Sequence, residues 1–182
     1  MSKINTDAVE PSTGTSLVLG ASGDTVSIPA GATIANSGTA TGFGGGKVLQ
    51  AVMGTSSTGV DQTAVAFIDT GLTVTITPSA TSSKILVLAN HAVIATQGST
   101  SVHLELFRDS TSIADWGNGW LAYSGTSYVG GGGTFTYLDS PSSTSAIVYK
   151  TQFKCESAAG GKVAKVMAGN TDGSIIALEI GT

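Results

Sequence analysis

Ten runs of β-forming residues, each closed by a turn signal, follow one another from Lys47 to the end of the chain. They read KVLQAVM, AVAFID, TVTITP, KILVLANHAVI, SVHLELF, SIADW, TFTYLD, AIVYKTQFKC, KVAKVM and SIIALEI. Val, Ile, Thr and the aromatic residues suit a pleated, half-buried backbone. The breaks DTGL, PSATSSK, RDSTS, DSPSSTS, ESAAGGK and GNTDGS hold the residues that pre-set turn dihedrals or bond back to their own backbone. No window carries apolar residues at i, i+3, i+4 and i+7 free of Gly or β-branched interruption. The pattern predicts an all-β chain, with antiparallel strands forming a β-sandwich or jelly roll.

Two of these runs are apolar on both faces. In KILVLANHAVI one face is Ile85, Val87, Ala89, His91 and Val93, and the other is Leu86, Leu88, Asn90, Ala92 and Ile94. SIIALEI pairs Ile175 and Ala177 with Ile176, Leu178 and Ile180. A sheet in a two-layer sandwich has one internal face, and its other face should be polar. A second apolar face calls for a cover, either a long loop or a neighbouring subunit. We expect the subunit: a homotrimer with Leu86, Leu88, Ile176 and Leu178 at its interface.

Charge points the same way. Only 11% of the 182 residues are charged, against roughly 25% in ordinary soluble domains, so much of the surface is expected to be covered. The net charge is −4, and the eight Lys and Arg are scattered. Nucleic-acid binding needs a clustered basic face, and no nucleic-acid partner is expected. No apolar run approaches the ~20 residues that cross a bilayer, and membrane insertion is not expected. The opening MSKINTDAVEP lacks the apolar stretch of a signal peptide, so cytosolic synthesis without secretion is expected.

Residues 1–46 differ in kind from residues 47–182, and we take them as two domains. From Leu17 to Gly46 the chain has no Lys or Arg and a single acid, Asp24. We read SLVLG, DTVSIP and ATIAN as short β pieces, each burying too little apolar surface to offset chain entropy alone. GFGGGK then makes a flexible joint. Such an arm is expected to order on a sister chain or another protein, seating Leu17, Val18, Val26, Ile28 and Ile34. Its free amides would pair with foreign strands.

The stretch EPSTGTSLVLGASGDTVSIPAGATIANSGTATGFGGGKVLQ carries a resemblance. Its acid-Pro-x-x-Gly element, LGASGDT turn and IPAGAT step resemble the N-terminal segments of tail-fibre and related virion structural proteins of tailed bacteriophages, particularly cyanophages. The likeness covers residues 9–50; the rest is similar in style alone. It implies a virion location after synthesis in the host cytoplasm, and an N-terminal anchor on tail, baseplate or capsid proteins. It also implies a distal β knob for attachment to a host-surface glycan or protein, and brings no catalytic residues. The chain is short and has no shaft, so a capsid decoration, cement or head-fibre role is the alternative.

Searches for chemistry give little. TGFGGGKV is no phosphate loop, because Thr41 stands where the first Gly belongs and Val48 follows the Lys. There is no Gly-x-Ser-x-Gly elbow. Asp109, Asp115 and Asp139 fall at strand ends, where Asp favours turns, rather than flanking a groove as paired glycosidase carboxylates do. Cys155 is the sole cysteine, which rules out an intrachain disulfide. His91 and His103 are read on neighbouring strands, with Glu105 two residues from His103 on the same face. A metal there is conceivable, but we read both histidines as hydrogen-bonding residues of a sheet or interface and expect no metal, cofactor or catalysis. His91 near a trimer axis would allow three imidazoles to stack. The segment from Asp115 to Tyr137 holds six of the eleven aromatic residues. We expect Trp120, Tyr123 and Tyr128 to form a receptor-contact surface, with Trp116, Phe135 and Tyr137 packing the core.

Overall fold

Strand β4 (Lys84–Ala95) alternates as its sequence dictates: Ile85, Val87, Ala89, His91, Val93 and Ala95 are all buried on one side. The computed structural model of the chain describes residues 13–33, 47–96, 98, 100–117, 129–157, 159–168 and 171–181. It divides into two units, Met1–Phe43 and Gly44–Thr182. Among the described residues there is no helix, and all ten strands lie in the second unit.

The strands form two antiparallel sheets. β4 organises the six-stranded one. β10 (Gly173–Ile180) pairs with its first half and β9 (Ala164–Val166) with its last residues. β7 (Val129–Asp139) pairs along nearly its whole length. β1 (Val48–Ser56) continues outward from β10, and β2 (Val60–Gln62) from β9. The four-stranded sheet runs in the order β3 (Ile68–Ile76), β8 (Ile147–Cys155), β5 (Val102–Arg108), β6 (Thr111–Asp115). The all-β reading therefore holds, and the two sheets pack as a β-sandwich. Its core joins Leu72, Val74 and Ile76 of β3, Leu104 and Leu106 of β5 and Tyr149 and Phe153 of β8 to the inner residues of β4 and β10.

Three sequence readings need correction. AVAFID and TVTITP are not separate strands: β3 runs through the DTGL break, which is a bulge. Gly71 takes φ 88° there and the register against β8 shifts, a bulge geometry that Gly admits without strain. The strand read as TFTYLD begins earlier: the glycine run 130–133 forms the first half of β7, laddered onto Ile94–His91. Glycine has poor strand propensity, and only the length of β4 provides that pairing. Lastly, SLVLG and DTVSIP, with the described part of ATIAN, form no strand; they are turns and irregular backbone. Ala21 N–H donates to Asp24 Oδ2 at 2.7 Å and Asp24 N–H to the Ala21 carbonyl at 3.0 Å. The one acid of that stretch is thus consumed by a turn.

Two polar side chains sit inside the sandwich on opposite terms. His91 is fully buried, both ring nitrogens lack a partner among the described residues, and Phe135 lies 6.4 Å away. Burial lowers its pKa from 6.5 to about 4. It faces the core, so the stacked imidazoles at a subunit axis and the expected sheet hydrogen bond are both excluded. Glu179, equally buried, is satisfied: Ser79 N–H and Oγ, Ser83 Oγ and Gln50 Nε2 donate to it at 2.6–2.7 Å. Burial alone would raise its pKa, but these donors outweigh it and hold the carboxyl at about 2.

The signs fix the pH dependence of stability. Both groups are depressed on folding, so in each case the unfolded chain takes up the proton first and stability falls as pH drops. For His91 the loss runs from pH 6.5 down to about 4 and amounts to about 3 kcal/mol. For Glu179 it runs from 4.5 down to about 2. Urea unfolding at a series of pH values is expected to show the first decline in the native chain and not in His91→Leu. Level stability in the native chain between pH 7 and 4 would contradict the assignment.

Candidate functional site

The outer faces of the two sheets differ sharply in chemistry. On the six-stranded sheet the registers align two rows across four strands. Ala51, Leu178, Leu86 and Leu138 form one, and Met53, Ile176, Leu88 and Thr136 the next. Leu86, Leu88, Ile176 and Leu178, the residues expected at a subunit interface, thus lie side by side, each partly exposed. Met53 is 64% exposed and Leu138 51%. A third row, Thr55, Ser174, Asn90 and Thr134, is polar but uncharged, with Asn90 donating to Thr134 at 3.1 Å. Charge flanks these rows, at Lys84 on one side, at the Lys165–Asp61 pair on the other, and at Asp172, which lines a pocket with Met53, Thr55 and Ser174.

The four-stranded sheet shows the reverse. Its outer face carries His103 and Glu105 on β5, Lys150, Gln152 and Lys154 on β8, Asp69 on β3 and Asp115 on β6. Lys150 pairs with Asp69 at 2.8 Å and Lys154 with Glu156 at 3.5 Å. Burial works against ionisation of Asp69, but hydrogen bonds from Lys150 and Gln152 prevail and lower its pKa. Ion pairs exposed to this degree add little stability; their significance is that the face is built for water. The apolar face is not.

His103 is the hub of the charged face. His91 and His103 do not stand on neighbouring strands: β4 and β5 belong to different sheets. The His103 ring is edge-on to Phe67 at 5.2 Å. Its Nε2 lies 2.7 Å from Asp115 Oδ1 and 3.9 Å from Glu105 Oε1, and its Nδ1 lies 3.2 Å from Glu156 Oε2. Asp115 also accepts from Gly117 N–H at 2.7 Å, and that bond first, then the His103 bond, lowers its pKa. The sequence reading placed Glu105 beside His103 but missed Asp115 and Glu156. A signal for Asp115 existed: a tight β5–β6 hairpin at Asp109–Ser110 sets Asp115 directly opposite Glu105.

The other Asp residues singled out from the sequence have structural roles. Asp109 takes φ 53° in that hairpin turn and accepts from Val148 N–H. Asp139 is buried at the end of β7, accepting from Arg108, from Tyr149 Oη at 2.7 Å and from Ser140 N–H. Trp116 stacks on Phe135 at 5.0 Å, and both, with Tyr137, pack the core. Trp120, Tyr123 and Tyr128 lie outside the described residues, as does Ile34. The remaining arm residues are surface-exposed: Leu17 45%, Val18 78%, Val26 58% and Ile28 49%.

No family model matches the chain, and no curated protein matches it. Among solved structures the chain is similar to one described as the structure of infectious bursal disease virus Gx strain, at 14% identity and a TM-score of 0.38. The match covers 72% of this chain and 38% of that one, so the chain spans well under half of that neighbour's length.

The exposure of the arm has a direct consequence for stability. Replacing Val18, Val26 and Ile28 together with Ser is expected to change unfolding free energy by no more than about 0.5 kcal/mol per substitution, the range at open surface. Denaturant unfolding checks this, and a loss of several kcal/mol would show that these side chains belong to a core.

Proposed function

We propose that the chain is a non-enzymatic structural protein of a tailed-bacteriophage virion, of tail-fibre or receptor-binding type. Its residues 1–46 anchor it to tail, baseplate or capsid proteins. Its β-sandwich forms a homotrimeric knob that attaches to a glycan or protein of the host surface. The reading rests above all on the contrast between the two outer faces. One is charged and suited to water; the other is apolar across four strands and suited to cover by another copy of the chain. Covering it joins copies side by side and turns one weak receptor contact into several on one particle, which raises avidity without a high single-site affinity.

Two further observations support the reading. The exposed apolar residues of the arm are free to dock, and the arm carries the resemblance to phage virion proteins described above. Setting the short β2 and β9 aside, the sheets run β1-β10-β4-β7 and β3-β8-β5-β6. First and last strands are neighbours, and every successive pair except the β5–β6 hairpin crosses between the sheets, as in an eight-stranded jelly roll wound from two Greek keys.

Labelling of intact particles with an antibody raised against residues 47–182 tests the location. Label confined to the tail is the expected result. Label spread evenly over the head would overturn the fibre reading in favour of a decoration or cement protein. A chain lacking residues 1–43 is expected to fold and to be absent from particles; its presence there would remove the anchoring role of the arm.

A further inference from the structure

We propose that His103, Glu105 and Asp115 form a binding site for a divalent first-row transition-metal ion, with Zn²⁺ the ion their chemistry suits best. The three side chains come from the paired strands β5 and β6, whose register sets Glu105 opposite Asp115. One ligand atom from each lies within 4.8 Å of the others. Bonds of about 2.0–2.2 Å to a tetrahedral Zn²⁺ put its ligand atoms about 3.3 Å apart. The distances from His103 Nε2, 2.7 Å to Asp115 and 3.9 Å to Glu105, bracket that value.

The convergence of three carboxylates, those of Glu105, Asp115 and Glu156, on one imidazole carries the argument. Nδ1 faces Glu156 Oε2 at 3.2 Å, a contact that needs the proton on Nδ1. In the neutral ring Nε2 then presents a lone pair, yet two carboxylates are aimed at it. Even a second ring proton serves only one of them. Asp115 stands at hydrogen-bond distance, whereas Glu105 Oε1, at 3.9 Å, is too far to accept that proton. A metal ion placed between Nε2 and the two carboxylates satisfies all three together.

The surroundings fit a metal centre. The contact of Nδ1 with Glu156 is the carboxylate–histidine arrangement that orients a ligating imidazole and raises its basicity. Ser112 Oγ donates to Glu105 Oε2 at 2.8 Å, and so fixes the carboxylate while its other oxygen faces His103. The Phe67 ring closes one side. The His103 side chain is 11% exposed and that of Asp115 60%, so the ion is held from below and open on the outer side. Three protein ligands and an open position leave room for water or for a carboxylate of a partner. The ion would bridge the ends of β5 and β6.

Isothermal titration of the chelator-treated full chain with Zn²⁺ alone tests the proposal. One ion per chain is expected, with a rise in the melting temperature. Asp115→Asn, at an exposed position that leaves folding intact, is expected to weaken binding at least tenfold, and Glu105→Gln likewise. Asp61→Asn, on the other sheet, is expected to leave it unchanged. Co²⁺ in place of Zn²⁺ is expected to give visible absorption bands that His103→Ala abolishes. The absence of binding to the native chain would overturn the proposal, as would binding that Asp115→Asn and Glu105→Gln leave unaltered.

Discussion

The sandwich hangs on β4. Its twelve residues carry β10 and then β9 along one edge and β7 along the other, while its buried alternate residues form the middle of the core. No break interrupts the run KILVLANHAVIA, and that continuity lets four successive glycines of β7 hold a ladder they have no propensity to form. The close crossing of β1 over β3 belongs to the same design. A Cβ at Gly54 would lie 1.9 Å from the Thr73 carbonyl, so only glycine admits this approach of one sheet to the other.

A strand so placed also explains the asymmetry of the surface. Side chains of β4 alternate, and the run of Ile, Leu, Val and Ala that fills the core on one side leaves Leu86 and Leu88 on the other. Ile176 and Leu178 of β10 lie beside them, with Met53 and Leu138 at the flanks. The four-stranded sheet alternates instead between apolar inner residues and His, Glu, Lys and Gln outside, the usual pattern for a sheet with one wet face. The same fold therefore has one apolar outer face and one charged outer face, and the histidine–carboxylate site stands on the latter.

Much of this was legible in the sequence, wherever alternation was strong. The long strands β4, β5, β8 and β10 follow directly from period-two patterns, and the twofold apolar character of β4 and β10 identified the outward leucines and isoleucines. What escaped depended on partners far along the chain. The bulge at Gly71 looks like a turn until β8 is seen to continue past it. Glu179 looks like a surface acid in a strand, because its donors Gln50, Ser79 and Ser83 lie about a hundred residues or more away. His91 looks like a hydrogen-bonding residue, and only the packing shows a neutral ring wedged among apolar side chains. The short apolar pieces of the arm were overread as strands, since a β-branched pair without a pairing edge does not make one.

The central claim is that the apolar face of the six-stranded sheet is covered by copies of the same chain. Multi-angle light scattering of the purified full chain over a dilution series measures this directly. The account predicts a mass three times the 18.1 kDa of the single chain, held on dilution. A stable species of single-chain mass at every concentration would contradict it.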